Sequence, residues 1–143
     1  AVAGGLVASV LRYAQLGKWD VPFTCNGLLV GLVSIAGPCD LVGPGGSMII
    51  GAVGAILLAA GIRAMELLQI DDPVGAFAVH GVGGFWGVMA PALLPFLIIN
   101  DTAQHPAPSF RVQLKGAAAI CTFSGIVCSF IFFLLARFGI YQV

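Results

Sequence analysis

Charge is scarce in this sequence, which has only six basic and six acidic side chains in 143 residues. Charged residues make up 8% of the chain and hydrophobic residues 59%, and the mean hydropathy is +1.06. So few charges cannot coat the surface of a soluble domain of this length. The formal net charge is zero and like charges form no block, so we expect no nucleic acid partner. We interpret the chain as a multi-pass membrane segment surrounded by a lipid bilayer.

The cysteines also lack the spacing that metal or redox chemistry requires. They form neither a CxxC pair nor a cluster with histidine. We interpret Cys25, Cys121 and Cys128 as small apolar packing residues, whereas Cys39 lies in a predicted loop and its role stays open. The membrane region contains no paired carboxylates and no nucleophile–base pair, so we expect no metal, no cofactor and no enzyme activity.

The chain begins without an initiator methionine, a basic n-region or a small-residue cleavage pattern, so we do not expect its first apolar stretch to be a signal peptide. A helix needs about 20 residues to cross the hydrocarbon of a membrane, and the stretch before the first charges is shorter than that. We expect a fragment of a longer chain that starts inside a transmembrane helix.

Charges, prolines and glycine clusters interrupt the apolar sequence at four places. Five apolar segments remain, at about 1–14, 22–38, 46–68, 73–99 and 112–138. They predict helices, because backbone in lipid must satisfy its hydrogen bonds internally and barrel strands would alternate in polarity. Glycines spaced along these segments predict close helix crossings. The expected fold class is all-α, a polytopic membrane helix bundle.

Basic residues are distributed unevenly among loops that would alternate across the membrane. One side has four and the other has two: Arg12, Lys18, Arg63 and Arg137 against Arg111 and Lys115. Cytoplasmic loops keep an excess of lysine and arginine. We therefore expect a cytoplasmic C-terminus and cytoplasmic loops near Lys18 and Arg63, and external loops at about 37–46 and 100–115.

The stretch from Asp71 to Gly87 contains a helix-start signal and then an apolar run with one histidine, His80. An ionisable side chain at membrane depth is costly and usually serves function. Imidazole, with an ordinary pKa of about 6.5, suits a pore-lining or proton-relay role. Two alternatives stay open. His80 could be a buried imidazole bonded across a helix pair, or a haem ligand whose second axial partner would have to be His105.

Asp72 before Pro73 predicts where this helix begins. The carboxylate can accept hydrogen bonds from the free N–H groups of a first turn, and proline suits the first helical position. We interpret Asp72 as a helix cap, while Asp71 has the alternative role of ordering the loop before it.

Helical spacing places small residues on or near the face of His80: Ala76, Gly83, Gly84 and Gly87. A groove or a close helix crossing would fit there. We expect Trp86 to pack within the bundle, and Pro91 and Pro95 to kink the helix or end it early.

Three ordered stretches resemble one protein family. Asp71-Asp72-Pro73, followed by Val79-His80-Gly81-Val82-Gly83-Gly84 and Trp86-Gly87, resembles the tenth transmembrane helix of the ammonium transporter (Amt/Mep/Rh) family. Residues 25–33 resemble its eighth helix, and residues 44–51 resemble the turn into its ninth. The resemblance runs from the end of helix seven to helix eleven and is weakest over 90–112.

This resemblance implies the second of two inverted repeats in an eleven-helix fold that forms homotrimers in the cell membrane. Each subunit would contain a narrow apolar pore with two histidines hydrogen-bonded midway, and His80 matches the second of them. Ala76 and Phe77, one turn earlier, would line or wall the pore. The first histidine and the ammonium recruitment site would belong to the N-terminal half of the same transporter.

The implied function is transport of ammonium or ammonia as part of a longer chain. Ammonium faces a large desolvation cost in an apolar channel, whereas neutral ammonia crosses cheaply. A proton passed separately along an imidazole pair would remove that cost, and potassium, which has no proton to shed, would be excluded. The alternative is a non-conducting relative that senses ammonium or serves as a structural membrane subunit.

Overall fold

The computed structural model describes residues 1–99 and 108–139, which form helices and their connections. The five α-helices are α1 (Val2–Leu16), α2 (Val21–Ala36), α3 (Pro44–Leu67), α4 (Gly83–Leu93) and α5 (Phe110–Arg137). A π-helical segment, Phe77–Val82, leads directly into α4, and a 3₁₀ turn, Pro95–Leu97, follows it. The described residues contain no strand, only an isolated bridge between Val42 and Ile98. The all-α expectation is confirmed.

Two of the described helices, α3 and α5, are long and apolar enough to cross a membrane, and the others are shorter apolar helices. The segment expected at 73–99 is helical over less of its length, because it begins at Phe77 and α4 ends at Leu93. Leu94 leaves the helical region with φ −123° and ψ 58°. A residue before proline is sterically kept from the α conformation, and Pro95 follows. Pro91, by contrast, lies inside α4.

Asp20 determines where α2 begins. Its carboxylate accepts a hydrogen bond from the N–H of Phe23 at 3.0 Å, and Nε of Arg12 in α1 lies 3.1 Å from its second oxygen. Both hydrogen bonds lower the pKa of Asp20, and the one from the N–H of Phe23 has the larger effect. Before it, Gly17 ends α1 with φ 67°, in the left-handed region that favours glycine. These contacts hold α1 and α2 together at one end.

The connections between helices gather at two ends of the bundle. At one end, the start of α2, the end of α3 and residues 71–75 line a shared cavity of about 360 Å³. At the other, the loop after α2 meets the chain after α4, where the N–H of Ile99 donates to the carbonyl of Leu41 at 2.9 Å. The loops predicted to be cytoplasmic therefore share one end. That this end faces the cytoplasm stays a prediction.

Glycines bring α1, α2 and α3 into backbone contact. A Cβ atom on Gly4 would collide with the carbonyl oxygen of Gly27 and would lie 3.2 Å from the Cα of Gly31 and from the carbonyl oxygen of Gly51. The predicted close crossings are formed here, because only a residue without a side chain fits between these backbones.

The helix that contains His80 crosses α2 in the same way, at Gly87. A Cβ atom on Gly87 would lie 2.6 Å from the carbonyl oxygen of Ser34, which is backbone and cannot rotate away. A Cβ atom on Gly37, at the same crossing, would lie 3.6 Å from the carbonyl oxygen of Gly87, an ordinary contact distance. Helix α5 is less enclosed, since it packs against α4 and only its residue Ala117 is buried.

We predict that Gly87→Ala destabilises the full-length protein by about 1–3 kcal/mol, the usual cost of forcing an extra carbon into a filled site. Gly37→Ala is the matched control and should change stability by less than about 0.5 kcal/mol. Melting temperatures of the detergent-solubilised variants measure both effects. Equal melting temperatures for the two variants would contradict the assigned crossing.

Candidate functional site

His80 lies in the middle of the π-helical segment, with its side chain exposed on the surface of the described chain. Its imidazole forms no hydrogen bond or ion pair with another described residue. Among the described helices, His80 is therefore not a buried imidazole that is hydrogen-bonded across a helix pair, which was one of the alternatives. His105, the other histidine of the sequence, lies outside the described residues.

The hydrogen-bond register of the helix changes directly after His80. The N–H of Gly83 bonds to the carbonyls of Ala78 and His80, so it passes over the carbonyl of Val79 that an α-helix would use. Such π turns are rare and frequently occur at functional sites. Sequence reasoning missed this turn. The available signal is the high density of glycine around Gly83, because glycine has a low α-helix propensity.

A groove of about 480 Å³ runs beside His80, between the helix that contains it and α5. Its lining is almost entirely apolar, and the lining residues include His80, Gly84, Val88, Ile120, Cys121 and Ser124. We call it the histidine groove. A small neutral molecule suits such a groove, whereas a cation would find few polar groups there to replace its water.

The glycines near His80 divide between two faces of the helix. Gly84 lines the histidine groove, but Gly83 is buried against α2, where its Cβ atom would lie 2.5 Å from Cγ2 of Val30. Gly87 faces α2 as well. The expectation that all of them lie near the face of His80 is wrong for Gly83 and Gly87, because the prediction assumed α-helical spacing and the π turn is wider.

Asp72 holds the start of the helix. Its Oδ1 atom accepts the N–H of Ala76 at 2.8 Å, and its Oδ2 atom accepts the N–H of Phe77 at 3.0 Å. The sequence predicts Pro73 as the first helical residue. In the structure it lies in a turn before the helix. Gly75 closes that turn with φ 70°, a left-handed conformation that delays the helix until the following residue. The carboxylate therefore reaches across the turn to the first free N–H groups.

Ala76 and Phe77 are exposed, and the side chain of Phe77 packs over the backbone of Gly81. A Cβ atom on Gly81 would lie 3.0 Å from two ring atoms of Phe77. Because Gly81 lines the histidine groove, the ring of Phe77 stands at the edge of that groove rather than within its lining.

Trp86 packs between α4 and α3, where its Nε1 donates to the carbonyl oxygen of Ile50 at 3.0 Å. The cysteines differ from expectation. Cys25, Cys121 and Cys128 are free thiols on exposed helix faces, so they do not fill the interior of the described bundle. Cys39 is exposed and free as well.

Comparison with known proteins identifies the family. The Ammonium Transporter Family matches residues 1–143. A putative ammonium transporter of Synechocystis is 34% identical over 145 residues, which cover 100% of this chain and 31% of that protein. Ammonium transporter Amt1 of Haloferax mediterranei is 36% identical over 131 residues, which cover 91% of this chain and 24% of that protein.

Solved structures that are similar to this chain indicate the same family. The Mep2 mutant delta442 of Candida albicans superposes with a TM-score of 0.79 at 31% identity, over 95% of this chain and 37% of that one. Saccharomyces cerevisiae Mep2 superposes with a TM-score of 0.76 at 26% identity, over 93% of this chain and 32% of that one. This chain spans about a quarter to a third of the length of the sequence relatives described above. It belongs to the ammonium transporter family and is accordingly a multi-pass helix bundle of the plasma membrane.

Proposed function

We propose that the full-length protein transports ammonium or ammonia through an apolar pore in which His80 relays a proton. The observation that carries the proposal is the imidazole of His80 on the wall of an otherwise largely apolar groove of about 480 Å³. Relatives that are named ammonium transporters support the choice of substrate.

The chemistry of the histidine groove favours a neutral passenger. Ammonium entering the groove would lose its hydration and gain few polar contacts in return, whereas ammonia has no charge to desolvate. The proton that ammonium sheds then needs its own route. An imidazole can accept a proton on one ring nitrogen and donate one from the other near physiological pH. Potassium cannot use this route because it has no proton to release.

The position of His80 supports a site completed by a second part of the protein. His80 and the histidine groove lie on an open face, and the chain spans about a third or less of its relatives. The N-terminal half of the same transporter, in this proposal, covers the groove and supplies the second histidine. Ala76 and Phe77 then wall the pore below His80. The full-length chains assemble as a homotrimer, as the family resemblance implies.

We predict that His80→Ala lowers methylammonium uptake by the full-length protein by about a hundredfold, the low end of what a positioned proton-transferring side chain contributes. Uptake is measured in a host that lacks its own ammonium transporters, with membrane protein levels matched between variants. His105→Ala is the matched control, because it removes the other histidine of this chain.

The control should transport like the wild type. If the His80→Ala variant takes up methylammonium as fast as the wild type, the relay role of His80 is refuted. Failure of the unmodified full-length protein to take up methylammonium, or to support growth on low ammonium, would instead favour a non-conducting relative.

We predict that Asp72→Ala costs about 1 kcal/mol of stability and also lowers uptake, because two N–H groups at the start of the His80 helix lose their acceptor. Asp71→Ala removes the adjacent carboxylate, for which the structure gives no hydrogen bond to this helix, and should leave both quantities near wild type. Thermal unfolding and uptake of the two variants provide the measurement. Equal losses in both variants would show that general loop charge, and not the cap, is responsible.

A further inference from the structure

Ser34 in α2 is the one fully buried polar side chain among the described residues, with an exposure of 0%. The two neighbouring helices, α3 and α4, each have a glycine in contact with Ser34. A Cβ atom on Gly54 of α3 would lie 2.7 Å from the Oγ atom of Ser34, and one on Gly87 of α4 would lie 2.6 Å from its carbonyl oxygen. Ser34 therefore occupies a site enclosed by backbone from two other helices.

The hydroxyl of Ser34 bonds to the helix that contains His80. Its Oγ atom donates to the carbonyl oxygen of Gly83 at a distance of 3.3 Å. Hydroxyls elsewhere in the bundle make local bonds within one turn: Ser9 to Gly5, Thr24 to Asp20 and Ser47 to Gly43. Serine in a helix commonly bonds back to the carbonyl four residues earlier in this way. The hydroxyl of Ser34 instead bonds to the backbone of a different helix.

Gly83 is the residue at which the helical register changes. Its N–H takes the π-type bond to Ala78, while its carbonyl accepts the hydroxyl of Ser34. We infer that Ser34 is a positioning residue: by holding the carbonyl of Gly83, it maintains the π turn and with it the direction of His80 into the histidine groove. The consequence for transport rests on the proposed relay role of His80.

The π turn is held at both of its ends. Asp72 holds the N–H groups of Ala76 and Phe77 at its start, and Ser34 holds Gly83 at its end. Without the hydroxyl, the buried carbonyl of Gly83 loses its partner in α2, and the segment can return to α-helical hydrogen bonding. A change of register by one residue rotates a helix by about 100°, since an α-helix has 3.6 residues per turn. A rotation of that size turns His80 away from the groove.

The test uses the full-length transporter with Ser34→Ala and the matched control Ser9→Ala. Ser9 also bridges two helices, because its hydroxyl lies 3.0 Å from that of Thr24, but these helices are α1 and α2. Cryo-electron microscopy of both variants in lipid nanodiscs reports the register directly. We expect α-helical bonding over 77–83 and a rotated His80 in Ser34→Ala, and an unchanged π turn in Ser9→Ala. A preserved π turn in Ser34→Ala would overturn the inference.

Transport is measured as a double-mutant cycle in proteoliposomes. We expect Ser34→Ala to lower the maximal rate of methylammonium uptake about tenfold, the order expected for one buried hydrogen bond, and Ser9→Ala to change it less than twofold. In the His80→Ala background, Ser34→Ala should cause no further loss, because it acts through His80.

Equal fractional losses in both backgrounds would overturn the positioning role, since they would show a general packing effect. Wild-type uptake by His80→Ala would overturn the proposed relay, and the register seen by microscopy would still decide the structural inference. The two failures are therefore distinguishable.

Discussion

Direct contact between helix backbones is the constraint on which the described bundle depends. In lipid, burial of apolar side chains offers little drive for helix association, so packing relies on close approach and on hydrogen bonds between helices. The contact of Gly4 with α2 and α3 is one such approach, and the contact of Gly87 with Ser34 is another. The second determines where the helix with His80 lies, because a side chain at Gly87 would push α4 away from α2. The position of His80 thus depends on a glycine, Gly87, on the face of its helix that packs against α2.

The π turn is a local departure from regular helix, and its neighbours hold it in place. Irregular backbone persists where the surrounding structure over-determines it. Asp72 provides acceptors at the start of the turn, and Ser34 of α2 provides a donor at its end. The carbonyl oxygen of Ile50 in α3 accepts a hydrogen bond from Trp86 of α4. These partners come from three different parts of the chain. The orientation of His80 is therefore a property of the bundle, not of its own helix.

The helices could be predicted from the sequence because hydropathy and chain breaks are local signals. Features formed by contacts between helices could not. The bond from Ser34 to Gly83 joins residues 49 positions apart, and nothing in the sequence near Ser34 indicates it. The start of the His80 helix was misplaced because Asp72 and Pro73 form a valid start signal by themselves, and the left-handed Gly75 displaces it. The sequence indicates His80 as an isolated titratable residue in an apolar run. Its periodicity does not predict that Gly83 and Gly87 face α2, because that periodicity assumes an α-helix.

The two faces of the His80 helix differ in how much of each is covered by other described helices. On one face, Gly83 and Gly87 are buried against α2, and that contact is finished within the described chain. On the other, His80 and Gly84 border a groove that α5 covers on one side only. An ionisable side chain within a membrane segment is costly when it faces lipid, and such residues face protein or a water-filled cavity. In the proposed transporter, the N-terminal half would therefore lie on the open face of His80, and the proposed pore would have walls from two parts of the protein.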